Sequence, residues 1–231
     1  MRQSLFGVVY LKMWLYWIII PIIFYIIGSI PFGVLIGRRI AKIDITQRGS
    51  GNIGATNVAR ELGIKWGIIT LVLDLLKGFI PIFIFYRYLN SFSGIGLLIV
   101  CLSVFLGHQF SFLQRFRGGK GVATALGIFI AISPFSSIIA ILIFIVTVYI
   151  TDIVSLGSMI AACAMPLILF LSIESKYLII TSLIMAALIC LKHKDNIQRL
   201  LRGEERRWRR RSVMSEGQEV DLTPHQNRNK F

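Results

Sequence analysis

Ionisable side chains are scarce in this sequence. Only 16% of its 231 residues are charged, and it holds just three histidines and three cysteines. No zinc-ligand cluster or Ser–His–Asp arrangement can be picked out, and neither a metal nor an organic cofactor is implied. Cys101, Cys163 and Cys190 each lie inside an apolar block and read as small core residues. Acidic residues are the minority among the charged ones, 11 against 25 Lys and Arg. No recognisable nucleic-acid-binding fold accompanies that excess, so nucleic acid is set aside as a partner. A convincing internal repeat is also missing, which weighs against an organic-phosphate transporter built from inverted halves.

What the sequence has is long apolar runs. It is 55% hydrophobic, with a mean hydropathy of +0.74. A bilayer core about 30 Å thick takes about 20 apolar residues per helix, and several such blocks are present. The spacing predicts an all-α polytopic membrane protein with seven transmembrane helices, over 14–37, 64–86, 94–108, 121–132, 134–151, 155–172 and 176–192. The first block lacks a small-residue cleavage site, so it reads as a retained helix rather than a signal peptide. The fourth is short, and its rival is one helix over 121–151 kinked at Pro134. Sidedness decides between them. Seven spans gather Arg38, Arg39, Lys42, Arg48, Arg60, Arg115, Arg117, Lys120 and the basic tail on one face, the cytoplasmic one, with the N-terminus outside and the C-terminus inside. The expected organisation is an extension over 1–13, a membrane domain over 14–205 and a tail over 206–231. That tail is low in complexity and expected to be disordered. Its arginines around Trp208 suit anionic lipid headgroups, or serve only to fix topology.

All the polar motifs fall on that cytoplasmic face, where irregular backbone at membrane depth needs a cavity or protein around it. In RGSGNIGATNVAR (48–60), Gly49, Gly51 and Gly54 permit backbone conformations in which successive N–H groups cup an anion. Ser50, Asn52, Thr56 and Asn57 add neutral donors, and Arg60 a planar fork for phosphate or carboxylate. The GGKG at 118–121 is not a P-loop, because Gly121 follows Lys120 where Ser or Thr is needed. Gly118, Gly119, Gly121, Lys120 and the start of the following helix can still hold an anion. His193 and Asn196 share a face if the last span continues as a helix. His108 reads as packing, and Asp74 with Lys77 as an ion pair inside the second span. Together these make a site for one or two phosphates at the bilayer edge.

These residues closely resemble the bacterial acyl-phosphate:glycerol-3-phosphate acyltransferase family, the PlsY type. The likeness runs through SIPFGVLIG (29–37), GSGNIGATN (49–57), LDLLKG (73–78), GGKGVAT (118–124), VSLGS (154–158) and HKDNIQRLLRGEE (193–205). It implies an enzyme of the bacterial inner membrane that moves a fatty acyl group from acyl phosphate to the 1-hydroxyl of glycerol 3-phosphate. The product is 1-acyl-glycerol 3-phosphate, an intermediate of phospholipid biosynthesis. By position it implies that Ser50, Arg60, Lys120, His193 and Asn196 carry catalysis. Gly51, Asn52, Gly54, Thr56, Asn57, Gly118, Gly119, Gly121 and Ser158 would bind substrate, and Glu205 would be structural.

The acyltransferase mechanism that needs Asp five residues after His is excluded, since Leu113, Gln198 and Lys230 occupy those positions. The hydroxyl proton can pass to His193 or to a substrate phosphate oxygen. Four positions depart from the family pattern. Ser111 stands where proline is common, Asp152 and Ile153 where an Arg–Tyr pair is frequent, and Glu204 where threonine is usual. Asp152 puts a carboxylate in place of a cation, so a catalytically weakened paralogue is a further reading.

Overall fold

In the computed structural model, which describes residues 17–88 and 94–208, every regular element is a helix. The sequence order is α1 (Trp17–Gly28), α2 (Phe32–Ile36), α3 (Ala55–Leu62), α4 (Ile64–Tyr88), α5 (Gly94–Gln109), α6 (Val122–Ile132), α7 (Pro134–Thr151), α8 (Val154–Leu171), α9 (Lys176–Lys192) and α10 (Lys194–Leu201). Four helices are each long and apolar enough to cross a membrane: α4, α5 with the turn that follows it, α7 and α8. Two bent pairs, α1 with α2 and α9 with α10, raise the candidates to as many as six. At 11 residues, α6 is only about 16 Å long at the usual helical rise. The 1–13 extension and the tail beyond 208 lie outside the described residues.

Three expected elements are corrected. The span expected over 14–37 is, in its described part, a broken helix, with Trp17–Gly28 and Phe32–Ala41 bent by 41°. Pro31 lacks an N–H and disfavours helical backbone before it. The carbonyls freed by the break are met from elsewhere in the chain: Ser111 Oγ, in the turn after α5, donates to Ser29 O at 2.5 Å and Lys77 Nζ of α4 to Ile30 O at 2.8 Å. The 121–151 run, by contrast, is two helices as expected and not one kinked helix, with Pro134 in the first turn of α7. The last span does not continue straight into 194–201, because the chain turns by 61° at His193. His193 and Asn196 therefore lie on either side of a corner. The stretch over 38–63, expected as loop, contains α3.

Glycine sets how closely the helices approach. A Cβ on Gly78 of α4 would lie 2.3 Å from Thr124 O of α6, and one on Gly127 of α6 would lie 2.1 Å from Leu75 O of α4. A reciprocal pair joins α1 to α5, through Gly28 against Val104 O and Gly107 against Tyr25 O. Small residues of this kind let helix backbones meet where apolar burial supplies no driving force between helices in lipid. The α4–α6 contact also carries Thr124 Oγ1 to Asp74 O at 3.0 Å. Asp74 and Lys77 form the expected buried pair, at 2.7 Å, and His108 is buried beside them with Nδ1 3.2 Å from Thr124 Oγ1. Along α7 the large residues Ile138, Leu142, Ile145 and Tyr149 face outward, while Ser136, Ser137 and Ala140 are buried. That pattern, large and apolar outside and small inside, suits a lipid-facing helix.

Candidate active site

The loop at 48–57 is held by its own polar groups. Ile45, Ile53 and Val58 pack with Val34 of α2 in a small apolar cluster that seats it. Gly49 and Gly51 take left-handed backbone, φ 59° and 69°, which glycine adopts without steric cost. Asn57 sits buried at the centre: Oδ1 accepts from Ser50 N at 2.9 Å, and Nδ2 donates to Arg48 O at 3.1 Å and Ile45 O at 3.3 Å. Asn52 Oδ1 accepts from Gly54 N at 3.1 Å, and Gly51 N donates to Arg48 O at 2.8 Å. The amides of 50, 51 and 54, read from the sequence as an anion cup, are therefore already engaged. Asn57 acts as a clamp rather than a free donor.

The glycine-rich loop at 118–121 follows the same rule. Gly118 N donates to Gln109 O at 3.2 Å and Gly119 N to His108 O at 3.1 Å, and Gln109 Nε2 returns a bond to Lys120 O at 2.8 Å. A Cβ on Gly118 would come within 2.0 Å of His108 O. These two glycines let the loop lie flat on the end of α5, and their amides do not serve an anion here.

A cavity of about 470 Å³ opens beside both loops. At its polar mouth are Ser50, Asn52, Gly54, Thr56, Asn57, Arg60, Lys120, Gly121, Ser158, His193, Asn196 and Glu205. Of the residues that the family resemblance assigned to catalysis, substrate binding or site structure, Gly51, Gly118 and Gly119 alone do not border it. The first residues of three helices do border it: Ala55 of α3, Val122 and Ala123 of α6, and Val154 and Ser155 of α8. A helix start leaves N–H groups without intrahelical acceptors and carries partial positive charge. The anion-attracting backbone thus comes from helix ends rather than from glycine loops.

The third part of the mouth is a network of side chains. Glu205 Oε1 accepts from Asn196 Nδ2 at 2.6 Å and Ser155 Oγ at 2.8 Å, and Oε2 from Arg199 Nε at 2.7 Å. Asn196 Oδ1 in turn accepts from Lys120 Nζ. Burial alone would raise the Glu205 carboxyl, but the three donors outweigh it and hold it below the usual carboxylate range. Burial lowers Lys120 to about 8, with Glu205 opposing. Burial and then the nearby Lys120 lower His193 to about 4, so the ring is neutral at pH 7. Its Nδ1 lies 2.8 Å from Ile189 O. A carbonyl only accepts, so Nδ1 carries the proton and Nε2 is the acceptor. Beyond Glu205 the chain folds back, and Trp208 N donates to Asp152 O at 2.9 Å.

Away from the mouth the lining is mainly apolar, with Asp74, His108 and Ser182 as the polar exceptions. Leu126 and Phe129 of α6, Ala140 and Phe144 of α7, Met165 of α8 and Met185 of α9 belong to it. Sequence reasoning passes over this greasy half, because cavity-lining and lipid-facing apolar residues look alike in a membrane helix. It also passes over Ser155 and Arg206 as site residues. Arg206 lay in the stretch expected to be a disordered tail, and nothing local marks Ser155 as the partner of a residue fifty positions away.

The family model described as glycerol-3-phosphate acyltransferase matches residues 18–203. The chain is 46% identical over 196 residues to the glycerol-3-phosphate acyltransferase of Desulfotalea psychrophila, covering 84% of this chain and 98% of that one. It is 49% identical over 187 residues to that of Geotalea daltonii, covering 80% and 94%. Among solved structures it is similar to PlsY (YgiH), an integral membrane glycerol 3-phosphate acyltransferase, in its glycerol 3-phosphate form. The TM-score there is 0.81 with 37% identity, over 86% of this chain and 98% of that one. The lysophosphatidic acid form of PlsY gives a TM-score of 0.77 and 38% identity, over 83% and 95%.

Proposed function

Because the chain belongs to the glycerol-3-phosphate acyltransferase family, we propose that it moves a fatty acyl group from acyl phosphate to the 1-hydroxyl of glycerol 3-phosphate. The products are 1-acyl-glycerol 3-phosphate and inorganic phosphate. One observation carries this reading: a single cavity has a cationic mouth, with Arg60 and Lys120, and an apolar interior. An acyl phosphate has the same division, an anionic head on an apolar chain.

Two phosphates repel each other, so their approach costs free energy unless fixed positive charge offsets it. Arg60, Lys120 and the starts of α3, α6 and α8 supply that charge. Ser50, Asn52 and Thr56 supply neutral donors to the phosphate oxygens, while Ser158, whose hydroxyl donates to Val154 O at 2.9 Å, shapes the substrate pocket. Asn196 and Glu205 hold Lys120 in place, and Gly51, Gly118 and Gly119 shape the loops. The glycerol hydroxyl attacks the acyl carbonyl carbon, the new C–O bond forms, and the bond to the phosphate oxygen breaks. His193 Nε2 accepts the hydrogen bond of the attacking hydroxyl. A ring held near pKa 4 is a poor proton acceptor at neutral pH, so the proton goes to an oxygen of the departing phosphate. Phosphate is already a good leaving group, and positioning supplies most of the rate.

In the membrane we propose seven spans, with α1–α2 as a broken one, α9 as the last and α6 reaching depth against α4. The N-terminus is outside, and the site faces the cytoplasm of the bacterial inner membrane. Residues 14–205 form the membrane domain, and the basic stretch around Trp208 lies against anionic headgroups. The test is phosphate release from palmitoyl phosphate by the purified protein, with and without glycerol 3-phosphate. Release that requires glycerol 3-phosphate and fails with palmitoyl-CoA is expected. Folded protein that binds glycerol 3-phosphate but releases nothing would sink the enzyme reading in favour of a weakened paralogue or a transporter.

A further inference from the structure

Arg206 lies three residues past the end of the family match, yet its side chain borders the cavity mouth. The cations around it are already engaged. Lys120 donates to Asn196, Arg199 pairs with Glu205 at 2.7 Å, and Arg60 has interactions of its own. Among the described residues, Arg206 has no ion-pair or hydrogen-bond partner for its side chain.

Nor is Arg206 free to drift, because its backbone is pinned on both sides. On one side the Glu205 carboxylate is clasped by Asn196, Ser155 and Arg199. On the other, Trp208 N donates to Asp152 O at 2.9 Å. Gly203, with φ 70°, makes the turn that sends the chain back, and Glu204 N closes it on Arg199 O at 2.8 Å. Residues 203–208 thus form a strap from the end of α10 to the junction of α7 and α8, with Arg206 carried at its middle.

We propose that Arg206 is a substrate-binding residue that takes a phosphate monoester at the cavity mouth through its guanidinium. Arginine suits this task, because its fork matches two phosphate oxygens at once and it remains charged throughout the working pH range. The strap makes Asp152 a positioning residue by way of its backbone carbonyl. The departure of its side chain from the family pattern leaves that role intact. Two ligands present the same chemistry, the phosphate of glycerol 3-phosphate and that of the acyl donor. The inference rests on the acyltransferase reading for its ligands.

The experiment compares wild type with Arg206→Ala, Arg206→Lys and Arg207→Ala, all as full-length protein in lipid. KM is measured for glycerol 3-phosphate and for palmitoyl phosphate in turn, and binding of inorganic phosphate is followed by calorimetry. Arg206→Ala is expected to raise one KM about tenfold, with kcat within about threefold, and to weaken inorganic phosphate binding in parallel. Arg206→Lys restores part of the loss, and Arg207→Ala, whose side chain lies outside the mouth, changes neither. A rise in KM for glycerol 3-phosphate assigns Arg206 to the soluble substrate, and a rise for palmitoyl phosphate assigns it to the donor. Unchanged KM values and phosphate binding, or an equal effect from Arg207→Ala, overturn the proposal. If wild type transfers no acyl group yet Arg206→Ala still weakens phosphate binding, the acyltransferase reading falls and the binding role stands.

Discussion

The loop at 48–57 and the segment at 193–208 face each other across one cavity mouth, and they are built on opposite principles. The first is rich in glycine and short polar side chains. Its hydrogen bonds close on itself, through Asn57 to Ser50 N, Arg48 O and Ile45 O. The second has one glycine and, besides binding Glu205 to its own Asn196 and Arg199, reaches outward to Lys120 and Ser155 on other elements. The first loop is a rigid form, and the second is a connector that ties separate helices to a shared charge. A motif dense in donors therefore need not be the part of a site that offers them.

The widest gap between the two regions should appear when the charge they surround is removed. Lys120→Ala is expected to lower kcat/KM about 100-fold or more, with the thermal unfolding midpoint in detergent little changed. Steady-state phosphate release and a melting curve check both. Breaking the self-contained loop should act differently. Asn57→Ala leaves Ser50 N without its acceptor and removes one of the two donors to Arg48 O and Ile45 O, at a cost of about 2 kcal/mol in stability. It should lose about 100-fold in activity through misplacement of neighbouring groups. Activity and midpoint falling together would mark it as a clamp; a full activity loss at unchanged stability would contradict that role.

On the connector side a smaller effect is expected. Glu205→Gln keeps the shape but removes the charge facing Arg199 and adds an N–H where acceptors are needed. A decrease of about tenfold in kcat/KM, equivalent to about 1.4 kcal/mol, is expected. Ala140→Phe, deep in the apolar half, should spare short acyl phosphates and penalise palmitoyl phosphate by a few-fold, about the discrimination one or two methylenes provide. Competition between lauroyl and palmitoyl phosphate reads this ratio.

The mildest prediction concerns pH. Burial lowers Lys120 to about 8, so its attraction for phosphate is present below that pH and lost as pH rises through it. The kcat/KM profile, which reports the free enzyme, should halve at about pH 8. Lys120→Arg should move that limb upward. Stability has the opposite sign: above pH 8 and below about 10.5 the unfolded chain keeps the proton that the folded one has lost, so this group's contribution favours folding as pH rises. Activity and stability diverging across that window would distinguish Lys120 from a residue that acts by holding the fold.

Much of the fold is legible in the sequence because apolar length and proline position are local signals. Pro134 separates α6 from α7, and Asp74 and Lys77 are three apart on one helix, close enough to predict their pairing. The break after Gly28 depends on Pro31 together with Lys77 and Ser111 arriving from elsewhere, so the apolar run alone reads as one helix. The site divides the same way. Residue types at 50–60 and 118–121 point to phosphate, but which amides are free depends on Gln109 and His108 lying underneath the second loop. The corner at His193 has neither proline nor glycine to announce it.

The joining of residue 120 to residues 196 and 205 also sets the order in which this protein can come to exist on the ribosome. Synthesis delivers the N-terminal part first, so α1 to α8, with both glycine-rich loops, leave before α10 and the strap. Until residue 196 has emerged, Lys120 lacks the partner that holds it, and until residue 208 has emerged the junction at Asp152 lacks its cover. A nascent chain thus carries a mouth open on one side, and the groups that close it arrive together with its last described turn.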